Sequence, residues 1–313
     1  MTDEQVLAAF AGMRRARRGD EYAPHKPLLA LLALARVQRG EQRLAEFAQI
    51  EQPLKDLLTE FGPSSAPGSR HYPFWHLATD GQGAIWQLHG PAEILGRPPA
   101  ATPNLSELKR HHVAGGFPPD LYRRLADDPR LLRRVARSIL DSSFPETLHE
   151  DIAQAAGLDL ADDLAMEQSR ATYTTTRRRR DPAFRDRVLL AYQYRCCVCG
   201  FDLRVGHLPA GVEAAHIKWH TAGGPDVTPN GLALCSLHHK LFDLGAFTVE
   251  PGELRVVFSQ RAISSGSELH NALAHHGAPV RRPQSADQSP AREFLAWNMD
   301  NVFKRPYRDF SAP

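Results

Sequence analysis

Two short ligand pairs constrain this chain more than anything else in it. Cys196-x2-Cys199 is followed, after 35 intervening residues, by Cys235-x2-His238. Each pair is a tight turn that points two ligands at one ion, and two such knuckles are the standard way to close a tetrahedral zinc site. Cys196, Cys199, Cys235 and His238 are therefore the expected structural zinc ligands. All four cysteines lie between 196 and 235, which fits metal binding in a reducing compartment better than a secreted disulfide framework. Cys197, adjacent to a ligand, points elsewhere and reads as a small core residue.

The second knuckle sits in CSLHHKLFD, residues 235–243. Neighbouring side chains on a helix or strand point in different directions, so His238 and His239 cannot share one site comfortably. With His238 closing the zinc site, His239 needs another role. The surrounding residues supply one: His216, Gly223-Gly224, Asn230-Gly231-Leu232 and Cys235-x2-His238-His239-x3-Asp243 follow in order over about 65 residues. This pattern resembles the HNH nuclease motif, which folds as two strands and a helix around one divalent metal. The resemblance implies His216 as the general base, since imidazole titrates near working pH, and Asn230 as the residue orienting the loop. His239 and Asp243, four apart on a helix, project from one face and can share a catalytic ion. Many HNH enzymes carry Asp or His just before the base, whereas this chain has Ala215. That leaves two protein ligands, with water and phosphate completing the shell, which suits Mg²⁺ or Mn²⁺. Glu213 is a further candidate whose direction is open at this point, and His220 reads as a loop or DNA-facing residue.

At 313 residues the chain has room for two domains with real cores. Residues 1–165 read as mostly helical. DEQVLAAFAGMRRA (3–16) has helical apolar spacing with Asp3 as its expected N-cap. Pro27 suits the first turn of the apolar helix that follows, and a third helix is expected over 46–61. YPFWHL (72–77) and AIWQL (84–88), separated by TDGQG, predict a hairpin. Helices are expected near 104–112, 118–126, 128–142 and 145–157. MEQSRATYTTTRRRR makes 166–180 a basic linker, and 181–313 then holds the second domain, with helices expected over 184–195 and 292–303. The fold class is α+β: a mostly helical N-terminal domain with a small hairpin, then the ββα-metal domain.

Net charge is +2, which selects no partner. Two arginine clusters, Arg14, Arg15, Arg17 and Arg18, then Arg177 to Arg180, are read equally as solvated runs or phosphate contacts. LLALLALA (28–35) is too short to span a bilayer, and no leader pattern is seen, so a cytoplasmic protein without a membrane role is expected.

A bare HNH module discriminates little between sequences, so the N-terminal residues read as a targeting domain. APHKPLLALLALARV (23–37) with SRHYPFWHL (69–77) resembles the sulfur-binding domain of restriction endonucleases that act on phosphorothioated DNA. Sulfur in place of a phosphate oxygen keeps the charge but is larger, more polarisable and a poorer hydrogen-bond acceptor. A reader should offer an apolar cup beside cations. The resemblance implies Tyr72 and Pro73 as the cup, with His25, Lys26, Arg70, His71 and an arginine near Arg97 or Arg110 around it. His76 stands where it implies a small residue. The reading is a modification-dependent endonuclease acting on phosphorothioated double-stranded DNA. An HNH enzyme for another mark such as 5-methylcytosine and a cleavage-deficient zinc protein are the alternatives. One active site per chain leaves homodimerisation or sequential nicking as routes to a double-strand break.

Overall fold

From Pro27 to Ala35 every side chain is buried. A helix apolar on all faces must be enclosed by others, and this one organises the N-terminal unit. The computed structural model describes residues 1–13, 23–63, 66–98, 101–160, 181–263 and 273–309. They form two compact units, one up to residue 160 and one from residue 181. The basic linker and both arginine clusters lie outside the described residues.

In the first unit the apolar helix is α2 (His25–Gln38), after α1 (Asp3–Ala11). Around α2 pack α3 (Phe47–Phe61), α4 (His71–His76), α7 (Pro119–Asp127), α8 (Pro129–Ser143) and α9 (His149–Ala156). The short α5 (Ala92–Leu95) and α6 (Leu105–Arg110) complete the helical set. Thr2, not Asp3, caps α1, because its hydroxyl accepts from the Gln5 amide while the Gln5 side chain accepts from the Thr2 amide. This reciprocal capping box satisfies two orphan donors at once. Asp3 instead pairs with Arg124 at 2.6 Å and Arg134 at 2.7 Å.

The hairpin expected over 72–88 does not form. Residues 71–76 are α4, and residues 77–83 continue as a 3-10 helix. Pro73 has no amide to give a strand ladder but fits a first helical turn, and adjacent Phe74 and Trp75 are both buried. A short aromatic run shows no period that separates strand from helix. The strands are instead β1 (Ala45–Glu46), β2 (Gln87–His89) and β3 (Ala114–Gly116), in the antiparallel order β1-β3-β2.

The second unit opens with α10 (Pro182–Ala191), capped by Asp181. It ends earlier than the expected 195, since Gln193 and Tyr194 take positive φ and turn the chain into Cys196. A small ladder, β4 (Arg204–Val205) and β5 (Leu208–Pro209), precedes β6 (Val212–His216) and β7 (Gly231–Cys235). β6 and β7 pair antiparallel from Val212↔Cys235 to His216↔Gly231. α11 (Ser236–Asp243) leaves β7 directly. β8 (Phe247–Val249) and β9 (Val256–Phe258) form a second hairpin, and α12 (Arg292–Asn301) packs on β8. Val188, Ala215, Leu232, Phe242, Phe247 and Leu295 share one core. No helix among the described residues is long and apolar enough to cross a membrane.

Candidate active site and DNA-reading surface

The register of β6 on β7 fixes both the cysteine–histidine cluster and the groups around His239. At its Cys235 end, β7 delivers the second knuckle against the turn that carries the first. The ligand atoms of Cys196, Cys199, Cys235 and His238 lie within 4.8 Å of one another. Cys235 Sγ is 3.1 Å and Cys196 Sγ 3.6 Å from His238 Nδ1, while Cys199 and Cys235 sulfurs are 4.0 Å apart. The neighbouring Cys235 sulfur, then the His238 imidazole, hold the Cys196 thiol well below its usual range, whereas the Cys196 sulfur and burial push Cys235 up and burial raises Cys199. Three sulfurs and one imidazole converging on a mostly buried point form a donor set that fits a tetrahedral, thiophilic ion. Cys197 lies apart, fully buried, its thiol pushed up by burial.

Strand alternation separates the remaining groups. Glu213 and Ala215 share one face of β6, and His216 takes the other. On the first face Glu213 reaches α11, where Oε2 accepts from His239 Nδ1 at 2.6 Å and Oε1 accepts from the Ser236 hydroxyl at 2.7 Å. The His239 hydrogen bond outweighs burial and, with Ser236, holds Glu213 at about 2. Because Glu213 is ionised, Nδ1 of His239 carries a hydrogen, and in the neutral ring Nε2 then keeps the lone pair. That lone pair faces Asp243 Oδ2 at 3.4 Å, and the other Asp243 oxygen accepts from Trp219 Nε1 at 3.2 Å. A neutral imidazole and a carboxylate so placed fit a divalent ion. With an ion there, Glu213 would be the carboxylate that orients the ligand imidazole. Glu213→Gln should weaken the binding of that ion about 10–100-fold, read by the Mn²⁺ concentration needed for half-maximal cleavage, while retaining the thiolate-bound metal.

Asn230 is fully buried in the 3-10 turn before β7. Its Oδ1 accepts from the Lys218 amide at 2.9 Å, and its Nδ2 donates to the carbonyls of Lys218 at 3.0 Å and Pro225 at 2.9 Å. One amide side chain thus pins both arms of the loop that leaves His216. Gly224 permits the closure, since a Cβ there would lie 1.9 Å from the Lys218 carbonyl oxygen.

His216 ends β6 with its ring stacked on Phe184 of α10, centroids 4.0 Å apart. Its Nε2 lies 2.7 Å from Asp226 Oδ1, a partner that sequence reasoning missed. In GGPD an acidic residue reads as ordinary turn chemistry, and nothing local marks it as returning to the histidine ten positions earlier. His220, read as a loop residue, is nearby, its Nε2 3.8 Å from Asp226 Oδ2.

In the N-terminal unit, α4 lies against α2. Tyr72 is 48% exposed, its ring 4.4 Å from His71 and stacked on His76 at 5.9 Å. Pro73 is buried beside it. Burial, then Arg70 and His76, lower the His71 pKa; burial, then Lys26, lower that of His76 against an opposing Asp80. Both imidazoles are neutral near pH 7, offering hydrogen bonds rather than charge, and His76 Nε2 is 2.9 Å from Thr102 Oγ1. His25 and Lys26 occupy the first turn of α2. Lys26 Nζ donates to both oxygens of fully buried Asp80, at 2.8 and 2.7 Å. Arg70 is held by Glu51 at 2.6 Å and by the Pro67 carbonyl at 2.8 Å, and Lys109 pairs with the same Glu51 at 3.0 Å. Arg97 pairs with Glu107 at 2.8 Å. The structure therefore groups His71, Tyr72 and His76 on α4, whereas Lys26, Arg70 and Arg97 each face an internal carboxylate.

The chain thus carries a helical unit built on α2 and a ββα unit with a cysteine–histidine cluster. Residues 3–161 match the ScoMcrA-like DNA sulfur-binding domain, and residues 196–250 match the HNH endonuclease family. The first match spans half of the chain, and the protein belongs to the ScoMcrA-like sulfur-binding-domain family. Among solved structures, the sulfur-binding domain of ScoMcrA complexed with phosphorothioated DNA is 22% identical. That match covers 49% of this chain and 94% of the other, with a TM-score of 0.42. The Type IV phosphorothioation-dependent restriction endonuclease ScoMcrA is 24% identical over 48% of this chain and 28% of its own, with a TM-score of 0.39. The modification-dependent TagI restriction endonuclease is 26% identical over 38% of this chain and 37% of its own, with a TM-score of 0.31. The chain thus spans well under half the length of either restriction enzyme. A comparison with curated proteins finds no match.

Proposed function

We propose that this protein is a phosphorothioate-dependent DNA endonuclease. Its N-terminal unit binds duplex carrying the sulfur mark, and its HNH domain hydrolyses a nearby phosphodiester. The observation that carries this reading is the union, in one chain, of a sulfur-binding-domain match over 3–161 with an HNH match over 196–250. The placed side chains support it. Half-exposed Tyr72, backed by buried Pro73, offers an apolar wall, and the neutral imidazoles of His71 and His76 flank it. A soft, poorly hydrogen-bonding sulfur loses less on entering such a site than an oxygen does.

At the second site His216 takes a proton from water, the resulting hydroxide forms a bond to phosphorus, and the P–O bond to the leaving oxygen breaks. That oxygen collects its proton from solvent. A Mg²⁺ or Mn²⁺ ion held by His239 and Asp243 would offset charge on the phosphate and leaving oxygens. Cys196, Cys199, Cys235 and His238 would hold zinc as a structural element. Asn230 fixes the loop, and Ala215, buried in the core, contributes no ligand.

The test compares one duplex sequence with and without phosphorothioate, in Mn²⁺. Binding at least about tenfold tighter to the sulfur-bearing duplex, followed by cutting near the mark, is expected. Equal binding to both duplexes refutes the sulfur reading, and selective binding without any cutting refutes the nuclease reading. Tyr72→Ala should bring the two affinities together.

A further inference from the structure

Asp226 lies in the loop between β6 and β7, outside every group assigned above. We propose that Asp226 is a positioning residue for the base: it forms a carboxylate–imidazole dyad with His216 that fixes which ring nitrogen carries the hydrogen. The inference rests on the assignment of His216 as the base.

The geometry is built rather than incidental. Asp226 Oδ1 meets His216 Nε2 at 2.7 Å, and Oδ2 accepts from the Asp181 amide at 2.7 Å. The Asp226 carbonyl accepts from Arg187 Nη2 at 2.8 Å. The cap and the middle of α10 therefore grip Asp226 through side chain and backbone. Phe184, one helical turn on, stacks flat on the imidazole. Ring plane and ring rotation are thus set by one helix, and the carboxylate side chain is 13% exposed. Among the described residues the ionisable neighbours include His220, which approaches Oδ2 at 3.8 Å, and Asp181, which is paired with Arg187 at 2.8 Å. Burial works to raise the Asp226 carboxyl, but the Asp181 amide and then His216 outweigh it and hold it below the usual carboxylate range.

An ionised carboxylate can only accept, so Nε2 must donate, and the neutral ring then keeps its lone pair on Nδ1. The water proton goes to Nδ1, and the imidazolium that forms is stabilised by the carboxylate already in contact. Asp226 itself stays unprotonated throughout.

Asp226→Asn reverses this. The amide side chain has one acceptor oxygen; if it keeps the Asp181 amide, its NH₂ faces Nε2 and drives the hydrogen to Nδ1. Cleavage of phosphorothioated duplex should fall about 10²–10⁴-fold in kcat with little change in KM, and binding should be retained. Long-range ¹H–¹⁵N spectra of the full chain, with His216 assigned by its loss in His216→Ala, should show hydrogen on Nε2 in the wild type and on Nδ1 in Asp226→Asn. Asp226→Glu should recover part of the rate. A structural role alone would change the folded fraction and leave the tautomer as it was.

Wild-type cleavage in Asp226→Asn, or slow cleavage with the Nε2 hydrogen unchanged, overturns the proposal. If the wild type cuts, His216→Ala is dead and Asp226→Asn cuts normally, the dyad fails while the nuclease reading stands. If the wild type does not cut, the nuclease reading fails and the tautomer still decides whether Asp226 sets the ring.

Discussion

His216→Ala should lower the cleavage rate of phosphorothioated duplex by about 10²–10⁴-fold, the usual contribution of a positioned general base, without weakening binding. The ring sits at the end of β6, stacked on Phe184 and bonded to Asp226, so its loss removes one face of packing but no ladder hydrogen bond. The backbone of β6 stays paired to β7, and the Ile217 amide still donates to the Asn230 carbonyl. Single-turnover cleavage with saturating Mn²⁺, alongside a binding isotherm for the same duplex, separates the two effects. A variant that cuts at the wild-type rate would place the base elsewhere, whereas one that loses both binding and cutting would point to misfolding.

Cys235→Ser should be the more drastic change, because it acts on folding. A structural zinc held by thiolates contributes on the order of 10 kcal/mol of apparent folding free energy in small domains, more than most domains have to spare. Cys235 also ends β7 and caps α11, so a lost ligand loosens the strand and helix that carry the nuclease residues. The expected result is a C-terminal unit that is cut rapidly by protease and holds no zinc, beside an N-terminal unit that still binds phosphorothioated duplex. His239→Ala is the control: folded, zinc-loaded and inactive. Loss of zinc from His239→Ala would show that the adjacent histidines do not serve separate ions, and a cooperatively folded Cys235→Ser domain would show that the cluster is not structural.

The C-terminal unit was the more legible in sequence, for a physical reason. Its constraints are local: two tight ligand turns, a glycine pair where a backbone must close, and His239 and Asp243 four apart on a helix. Each dictates geometry within a few residues. What stayed hidden depends on contacts across the fold. The reach of Glu213 to His239 needs the α11 packing, and the return of Asp226 to His216 needs a loop folded over α10. The N-terminal unit was harder. HYPFWH carries no period, and β2 finds its partner in β3, well beyond any hairpin range. The acidic partners of Lys26, Arg70 and Arg97 are 54, 19 and 10 residues away in sequence, so cations that sequence marks as DNA contacts meet internal carboxylates in the fold.

The five-rung pairing of β6 with β7 also serves as a ruler. One end of the ladder is tied to the cysteine cluster at Cys235 and the other to the proposed base at His216. Side chains alternate at every rung, so adding or deleting one residue between Glu213 and His216 would put both on the same face of the strand. The connecting stretch 217–230 is not measured this way. Length there can change only where Asn230 still spans Lys218 and Pro225, Asp226 still meets His216 and Trp219 still meets Asp243, so the loop is held at those residues and the ladder along its whole length.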